Sequence, residues 1–178
     1  AAATITATAL AAPFPAAPTT SAGRVYVVTN DSELLAIDGA AGNVPWNYQG
    51  IAETARILAA SSPAVIGDTV VAPFASGEVT ALFAPNGRRL WVDALTYVDP
   101  RAGTASNLTS LSAINDIAGR PVMSGGAIYA VSHSGVIAAI DERSGQRIWA
   151  RAITSTQTPY VVVDTLYVVT VDGEVAAI

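Results

Sequence analysis

The chain alternates between short runs rich in β-branched residues and short polar turns. Residues 24–29 (RVYVVT) end at the polar turn 30–32 (NDS), and a second apolar run follows at once over residues 33–38 (ELLAID). β-Branched residues favour strands, and turn residues at this spacing favour hairpins. No stretch has the periodicity of an amphipathic helix. The pattern therefore predicts an all-β protein built from short antiparallel strands.

The strand-and-turn pattern occurs in four successive copies. Each copy opens with a proline: Pro18, Pro63, Pro121 and Pro159. In every complete copy a tryptophan follows that proline at one and the same interval, from 18 to 46, 63 to 91 and 121 to 149. A fixed interval of this kind is the signature of a repeat protein. We predict that the second strands of the four units lie near 24–29, 69–74, 127–132 and 165–170.

Each tryptophan ends a motif of the form Asp-x-x-x-Gly-x-x-x-Trp. The copies are Asp38, Gly42 and Trp46; Gly87 and Trp91, with Phe83 in the aspartate position; and Asp141, Gly145 and Trp149. We expect the aspartate to accept hydrogen bonds from its turn. We expect the indole to pack against the neighbouring unit and the backbone around the glycine. These residues are therefore interpreted as structural.

Four-stranded antiparallel units of this length, each with a glycine and tryptophan signature, are typical of β-propeller blades. The copies divide the partial propeller of residues 1–178 into the strand of a preceding blade (1–12), three complete blades (13–50, 58–97 and 113–153) and an incomplete blade (154–178). A first, inner strand is expected over residues 17–20. The predicted fold class is an all-β propeller with about four blades present.

The composition of the chain argues against several classes of function. Hydrophobic residues make up 51% of the chain and charged residues 13%, as in a protein with a substantial core. The net charge of −5, without a basic stripe, argues against a nucleic-acid partner. There is no cysteine, which excludes disulfides and thiolate metal ligands.

Catalytic chemistry has little support in the sequence. His133, the one histidine, falls in a predicted hairpin turn and is interpreted as a solvated turn residue. Asp93, Asp99 and Asp164 are interpreted as solvated surface residues. No serine–histidine–aspartate arrangement or cluster of metal ligands stands out, so no catalytic residue, metal site, cofactor or small-molecule substrate is expected.

Two connections between units are longer than the repeat requires. From tryptophan to proline the connections run from 46 to 63, from 91 to 121 and from 149 to 159, so the third is the shortest and the first two exceed it. In a four-stranded meander these connections emerge on the same face as the turns between second and third strands, and long loops on a rigid scaffold often carry function. The first contains Arg56, Ile57 and Leu58, which suit an interface; alternatively, the two apolar residues begin the inner strand and face the core.

The motif copies resemble the tryptophan-docking repeat of quinoprotein-type eight-bladed propellers. Within that group, residues 115–122 (NDIAGRPV) and 61–65 (SSPAV) resemble the outer-membrane-protein assembly factor BamB family. The resemblance covers nearly all of this chain but about half of such a protein. It implies a non-catalytic periplasmic, outer-membrane-associated lipoprotein scaffold that binds the periplasmic domains of BamA, the barrel-forming subunit of the β-barrel assembly machinery.

The resemblance also implies where the partner binds. In BamB-like proteins, apolar and arginine residues of the first long connection meet BamA, which points to Arg56, Ile57 and Leu58. Asn115 and Asp116 would supply the polar part of the interface. The family commonly has a second acidic residue at the position of Ala118, so this chain keeps only half of that acidic pair.

Two other functions use the same repeat. One is a fragment of a quinone (PQQ)-dependent dehydrogenase, which needs a calcium ion held by carboxylates and amides and commonly has a vicinal disulfide; this chain has no cysteine. The other is a ligand-sensing propeller domain.

The alternation of residues 4–10 is that of an outer strand without a blade of its own. Pairing it with residues 174–178 would close a four-bladed ring within one chain, or an eight-bladed ring as a homodimer. The third alternative is a longer protein whose later blades complete the ring.

Overall fold

The computed structural model describes residues 16–51, 61–95, 117 and 119–178, and within these ranges it contains strands and no helix. The first sheet consists of β1 (Thr19–Ser21), β2 (Arg24–Val28), β3 (Glu33–Asp38) and β4 (Trp46–Gln49). The second consists of β5 (Ala64–Ile66), β6 (Thr69–Pro73), β7 (Glu78–Phe83) and β8 (Arg88–Ala94). The third consists of β9 (Val122–Ser124), β10 (Ala127–Ser132), β11 (Val136–Asp141) and β12 (Arg147–Ala152). The fourth consists of β13 (Tyr160–Val162), β14 (Thr165–Val169) and β15 (Val175–Ala177).

Each sheet is an antiparallel meander, because its strands pair in chain order. This confirms the predicted all-β propeller fold, and the second strands β2, β6, β10 and β14 lie where the repeat places them. The inner strand β1 begins later than the predicted 17–20. Its register with β2 is set by the tight turn at Ala22 and Gly23, so that Ser21 pairs with Arg24 and Thr19 with Tyr26.

Successive sheets pack face to face, since alternate residues of each strand point to opposite faces. Tyr26, Val28 and Leu34 of the first sheet share a buried cluster with Val70 and Leu82 of the second. The next two interfaces repeat the arrangement. One joins Val71 and Val79 to Ile128 and Ile140, and the other joins Val131 and Ile137 to Leu166 and Val168. The core is therefore a row of inter-sheet layers rather than a single centre.

Trp46 and Trp91 each link their own sheet to the following one. The Trp46 indole Nε1 donates a hydrogen bond to the carbonyl of Ala84 (3.0 Å), and Trp91 Nε1 donates to the carbonyl of Glu142 (2.8 Å). Each ring lies against a turn glycine of the following sheet. A Cβ built on Gly87 would fall 2.5 Å from the ring of Trp46, and a Cβ on Gly145 2.5 Å from that of Trp91. Only glycine leaves room for this contact.

The motif aspartates hold the turns of the tryptophan motif in the first and third sheets. Asp38 Oδ1 accepts hydrogen bonds from the backbone N–H groups of Ala41 (2.7 Å) and Ala40 (2.9 Å), which lower the pKa of its carboxyl. Asp141 Oδ1 accepts from the hydroxyl (2.7 Å) and N–H (2.8 Å) of Ser144, and its pKa is lowered chiefly by that hydroxyl. These bonds favour the charged carboxylate and the turn together.

Val163 is the least favourable residue of the hairpin turns. Its φ of 55° lies in the left-handed region, which disfavours β-branched side chains, and it is 86% exposed. The equivalent positions in the second and third sheets are Gly67 and Gly125, both with positive φ. The side chain of Val163 therefore adds strain with little burial to offset it.

We expect Val163→Gly to raise the free energy of unfolding by about 1 kcal/mol, because relief of left-handed strain outweighs the extra chain entropy of glycine. Urea titration of both chains measures the change. Gly125→Val makes the opposite substitution at the equivalent turn and should lower stability. A Val163→Gly chain that unfolds at lower urea concentration than the parent would contradict the strain argument.

Candidate protein-binding face

The turns between second and third strands and the connections between sheets emerge on one face of the molecule, here named the connection face. Gly50 N–H donates to the Ser32 carbonyl (2.8 Å), Leu95 N–H to the Gly77 carbonyl (2.8 Å) and Val171 N–H to the Thr154 carbonyl (3.1 Å). In each case a connection is bonded to a hairpin turn. Backbone bonds thus hold the base of every connection.

The first long connection starts from a fixed position. Ile51 N–H donates to Glu78 Oε2 (2.9 Å), and the same oxygen accepts from the Ser76 hydroxyl (3.1 Å). Glu78 is buried, whereas the Ile51 side chain is 59% exposed. A carboxylate from the second sheet therefore positions an apolar side chain that the first sheet presents to solvent.

Neither residue of this contact was predicted from the sequence. Glu78 occupies the same repeat position as Glu33 and Glu174. Both of those carboxylates are more exposed than Glu78, and nothing in the repeat distinguishes Glu78 from them. Its Ile51 partner lies 27 positions earlier, and only the packing of one sheet on the next brings them together. No signal in the sequence therefore marked either residue, since the residues after Glu33 are buried just as those after Glu78 are.

The second long connection has both ends in the core. Leu95 and Ile117 are fully buried in the layer between the second and third sheets. The Leu95 carbonyl also accepts a hydrogen bond from the Ser134 hydroxyl (3.2 Å) on the adjoining hairpin turn. These two apolar residues fix where the connection leaves the propeller and where it returns.

His133 differs from the solvated turn residue expected from the sequence. It lies in the turn after β10 but is half-buried, and its Nδ1 is shielded from solvent with no hydrogen-bond partner among the described residues. The turn packs against the preceding sheet through Ser134 and Leu95, which accounts for the lost exposure. Ser32 Oγ, on the equivalent turn of the first sheet, is likewise buried and unpaired within the described ranges.

The predicted interface residues Arg56, Ile57, Leu58, Asn115 and Asp116 lie outside the described residues. Of their described neighbours, Ile51 precedes the first group and is exposed, whereas Ile117 follows the second and is buried between the second and third sheets. The two groups thus stay a prediction.

A protein-family model described as outer membrane protein assembly factor BamB matches residues 4–178. The chain belongs to this family. It is 27% identical over 161 residues to the BamB of Yersinia pestis, an alignment that covers 90% of this chain and 39% of that protein. The crystal structure of BamB from Moraxella catarrhalis superposes with a TM-score of 0.80 and 25% identity, covering 94% of this chain and 49% of that one. The chain therefore spans less than half the length of these BamB relatives.

The propeller fold is shared with enzymes. Quinohemoprotein alcohol dehydrogenase from Comamonas testosteroni superposes with a TM-score of 0.71 at 19% identity, covering 89% of this chain and 29% of that chain. At that identity the similarity shows the fold alone. Across the described part of this BamB family member, no three histidine, cysteine, aspartate or glutamate side chains cluster as metal ligands, and no helix is long and apolar enough to span a membrane.

Asp93 is not the solvated residue expected from the sequence. Arg147 donates to both of its carboxylate oxygens, with Nε–Oδ2 at 2.6 Å and Nη2–Oδ1 at 3.0 Å, and also to the Ala94 carbonyl. This pair joins the outer strand β8 of the second sheet to β12 of the third. Its role is therefore to hold adjacent blades. Asp99 lies outside the described residues, and Asp164 lies in a hairpin turn.

Proposed function

We propose that the connection face binds a periplasmic domain of a BamA-like barrel-forming subunit and so assists assembly of outer membrane proteins. The proposed setting is the periplasm, at the outer membrane, and the proposed role is non-catalytic. Membership in the BamB family supports the assembly role, since the family description names that process. The chain would act as a rigid scaffold that presents a binding surface.

The observation that carries the proposal is the fixed, exposed Ile51. Its N–H is bonded to the buried carboxylate of Glu78, so the backbone beneath it is held in place before any partner arrives. An apolar side chain on such a support loses little freedom on binding, which favours affinity. Residues 56–58 follow within the same connection and add two apolar residues and an arginine, a residue type enriched at interfaces.

A binding measurement with the purified periplasmic domains of BamA tests the proposal. We expect Ile51→Asp, and separately the double variant Ile57→Asp and Leu58→Asp, to weaken binding at least about tenfold, because each places a charge in a desolvated contact. Isothermal titration calorimetry gives the dissociation constants. Ile148→Asp on β12 is the matched control, since Ile148 is 58% exposed but lies on an outer strand away from the connection face. It should bind like the parent chain.

Thermal unfolding of the same variants separates an interface from a core. If the double variant Ile57→Asp and Leu58→Asp has a much lower unfolding temperature than the parent chain, those residues belong to the inner strand and its core. Equal binding by the parent and by all three variants would contradict the proposed face.

A further inference from the structure

The inner strands of three successive sheets line a pocket with a volume of about 380 Å³. Its walls come from β5 of the second sheet, β9 of the third and β13 of the fourth, with the residues that lead into the last two strands. Val65, Met123 and Val161, one from each strand, are half-buried apolar side chains that pack against the core layers and also line this pocket. A largely apolar pocket of this size with few polar groups is typical of small-molecule sites.

Arg120 is the one charged side chain among the described residues that line this pocket. It lies at the end of the second long connection, directly before Pro121 of the repeat. The Arg120 side chain is exposed, and no carboxylate within the described ranges forms an ion pair with it. The described walls therefore combine apolar surface with a single positive charge, which suits a ligand that is itself apolar and negatively charged at one end.

The backbone that carries Arg120 is held against the fourth sheet. Arg120 N–H donates a hydrogen bond to Thr158 Oγ1 (3.1 Å), and a Cβ built on Gly119 would fall 2.5 Å from the Gln157 carbonyl oxygen. The Thr158 hydroxyl also lines the pocket, and it has no acceptor for its own proton among the described residues. A guanidinium and a hydroxyl donor are therefore positioned together at the pocket before any ligand binds.

We propose that this pocket binds an aliphatic carboxylic acid, such as a medium-chain fatty acid. The carboxylate pairs with the Arg120 guanidinium, a charge-assisted contact, and accepts a hydrogen bond from the Thr158 hydroxyl. The hydrocarbon chain lies along Val65, Met123 and Val161, where its removal from water favours binding. The end of a polypeptide fits less well, because its backbone amides need hydrogen-bond partners and the described walls offer few polar side chains.

The chain contains one methionine, and that residue is Met123 in the pocket wall. Labelling with ¹³C-methyl methionine therefore gives the full chain a single methyl signal that reports on the pocket. Decanoate is added at neutral pH, where its carboxylate is charged, and the signal is followed by NMR. We expect a saturable shift at millimolar decanoate or below, and weaker binding at high salt, because salt screens the contact with the exposed Arg120.

Two changes remove the charge contact, one on each side. Arg120→Gln should bind decanoate at least about tenfold more weakly than the parent chain, and the parent should bind decanol, which has the same chain without the charge, more weakly by a similar factor. Arg89→Gln is the matched control, since Arg89 is an exposed arginine of the outer strand β8 and is not among the pocket residues. It should bind decanoate like the parent.

Three results would overturn the proposal. The first is no shift of the Met123 signal at millimolar decanoate. The second is equal affinity of the parent and Arg120→Gln, or of decanoate and decanol, since the guanidinium would then have no part in binding. The third is tighter binding of a short peptide that ends in leucine, which would assign the pocket to the ends of polypeptide chains instead.

Discussion

Trp91→Ala is expected to lower the free energy of unfolding by about 3–5 kcal/mol, the range for removing a large aromatic side chain from a packed core. Trp91 is 8% exposed and belongs to the layer between the second and third sheets. Its loss would also leave the Glu142 carbonyl without its indole donor. Because the ring lies between two sheets, its removal weakens their contact as well as the local turn.

Urea-induced unfolding followed by circular dichroism measures the effect, and Trp149→Ala is the matched comparison. Trp149 holds the same repeat position but is half-buried and has no acceptor for its N–H among the described residues. We expect Trp149→Ala to lower the free energy of unfolding by about half as much as Trp91→Ala, since the buried area of the side chain sets most of the loss. Equal losses from the two substitutions would show that burial of the indole does not decide its contribution.

The repeat made much of the fold predictable from the sequence. A tryptophan recurring at a constant distance after a proline places equivalent strands in equivalent positions, and β3 (Glu33–Asp38) begins and ends where the apolar run does. The aspartate and glycine of the motif are local signals, since a turn is decided by residues within a few positions of each other. Local structure that depends on nearby residues, and that recurs along the chain, can be predicted without knowing how the sheets pack.

Contacts between repeats were not predictable in the same way. The Arg147–Asp93 pair joins residues 54 positions apart, and the Ile51–Glu78 bond joins residues 27 positions apart. Arg89 occupies the repeat position of Arg147, so the sequence alone does not tell which arginine finds a carboxylate. The answer depends on how one sheet twists against the next.

On the connection face, too, some features could be predicted from the sequence and others could not. Connection lengths predicted which loops are elaborated, because a repeat sets the minimum length that a connection needs. The residues that anchor the second of those loops, Leu95 and Ile117, were not singled out, since isolated apolar residues at the ends of a long connection resemble any other loop residues. Arg56, Ile57, Leu58, Asn115 and Asp116 remain predictions, and the binding experiment tests the first connection directly.

Gly145→Ala is expected to cost about 2–5 kcal/mol of unfolding free energy, from left-handed strain of about 1–2 kcal/mol and overpacking of about 1–3 kcal/mol. The backbone φ at Gly145 is 71°, and an added Cβ would lie 2.5 Å from Cγ of Trp91. The turn cannot withdraw easily, because Gly145 N–H donates to the Asp141 carbonyl and Trp91 Nε1 donates to the Glu142 carbonyl. Urea titration gives the size of the loss.

Gly126→Ala separates the two causes. Gly126 has a φ of 78° in the same sheet, but an added Cβ meets nothing within 4 Å, so only the strain of about 1–2 kcal/mol should remain. Combining Gly145→Ala with Trp91→Ala should then cost less than the sum of the two single losses, since the methyl group enters space that the ring has left. Strict additivity would show that the alanine methyl does not press on the indole, and the tryptophan–glycine contact would lose its role in holding the second and third sheets together.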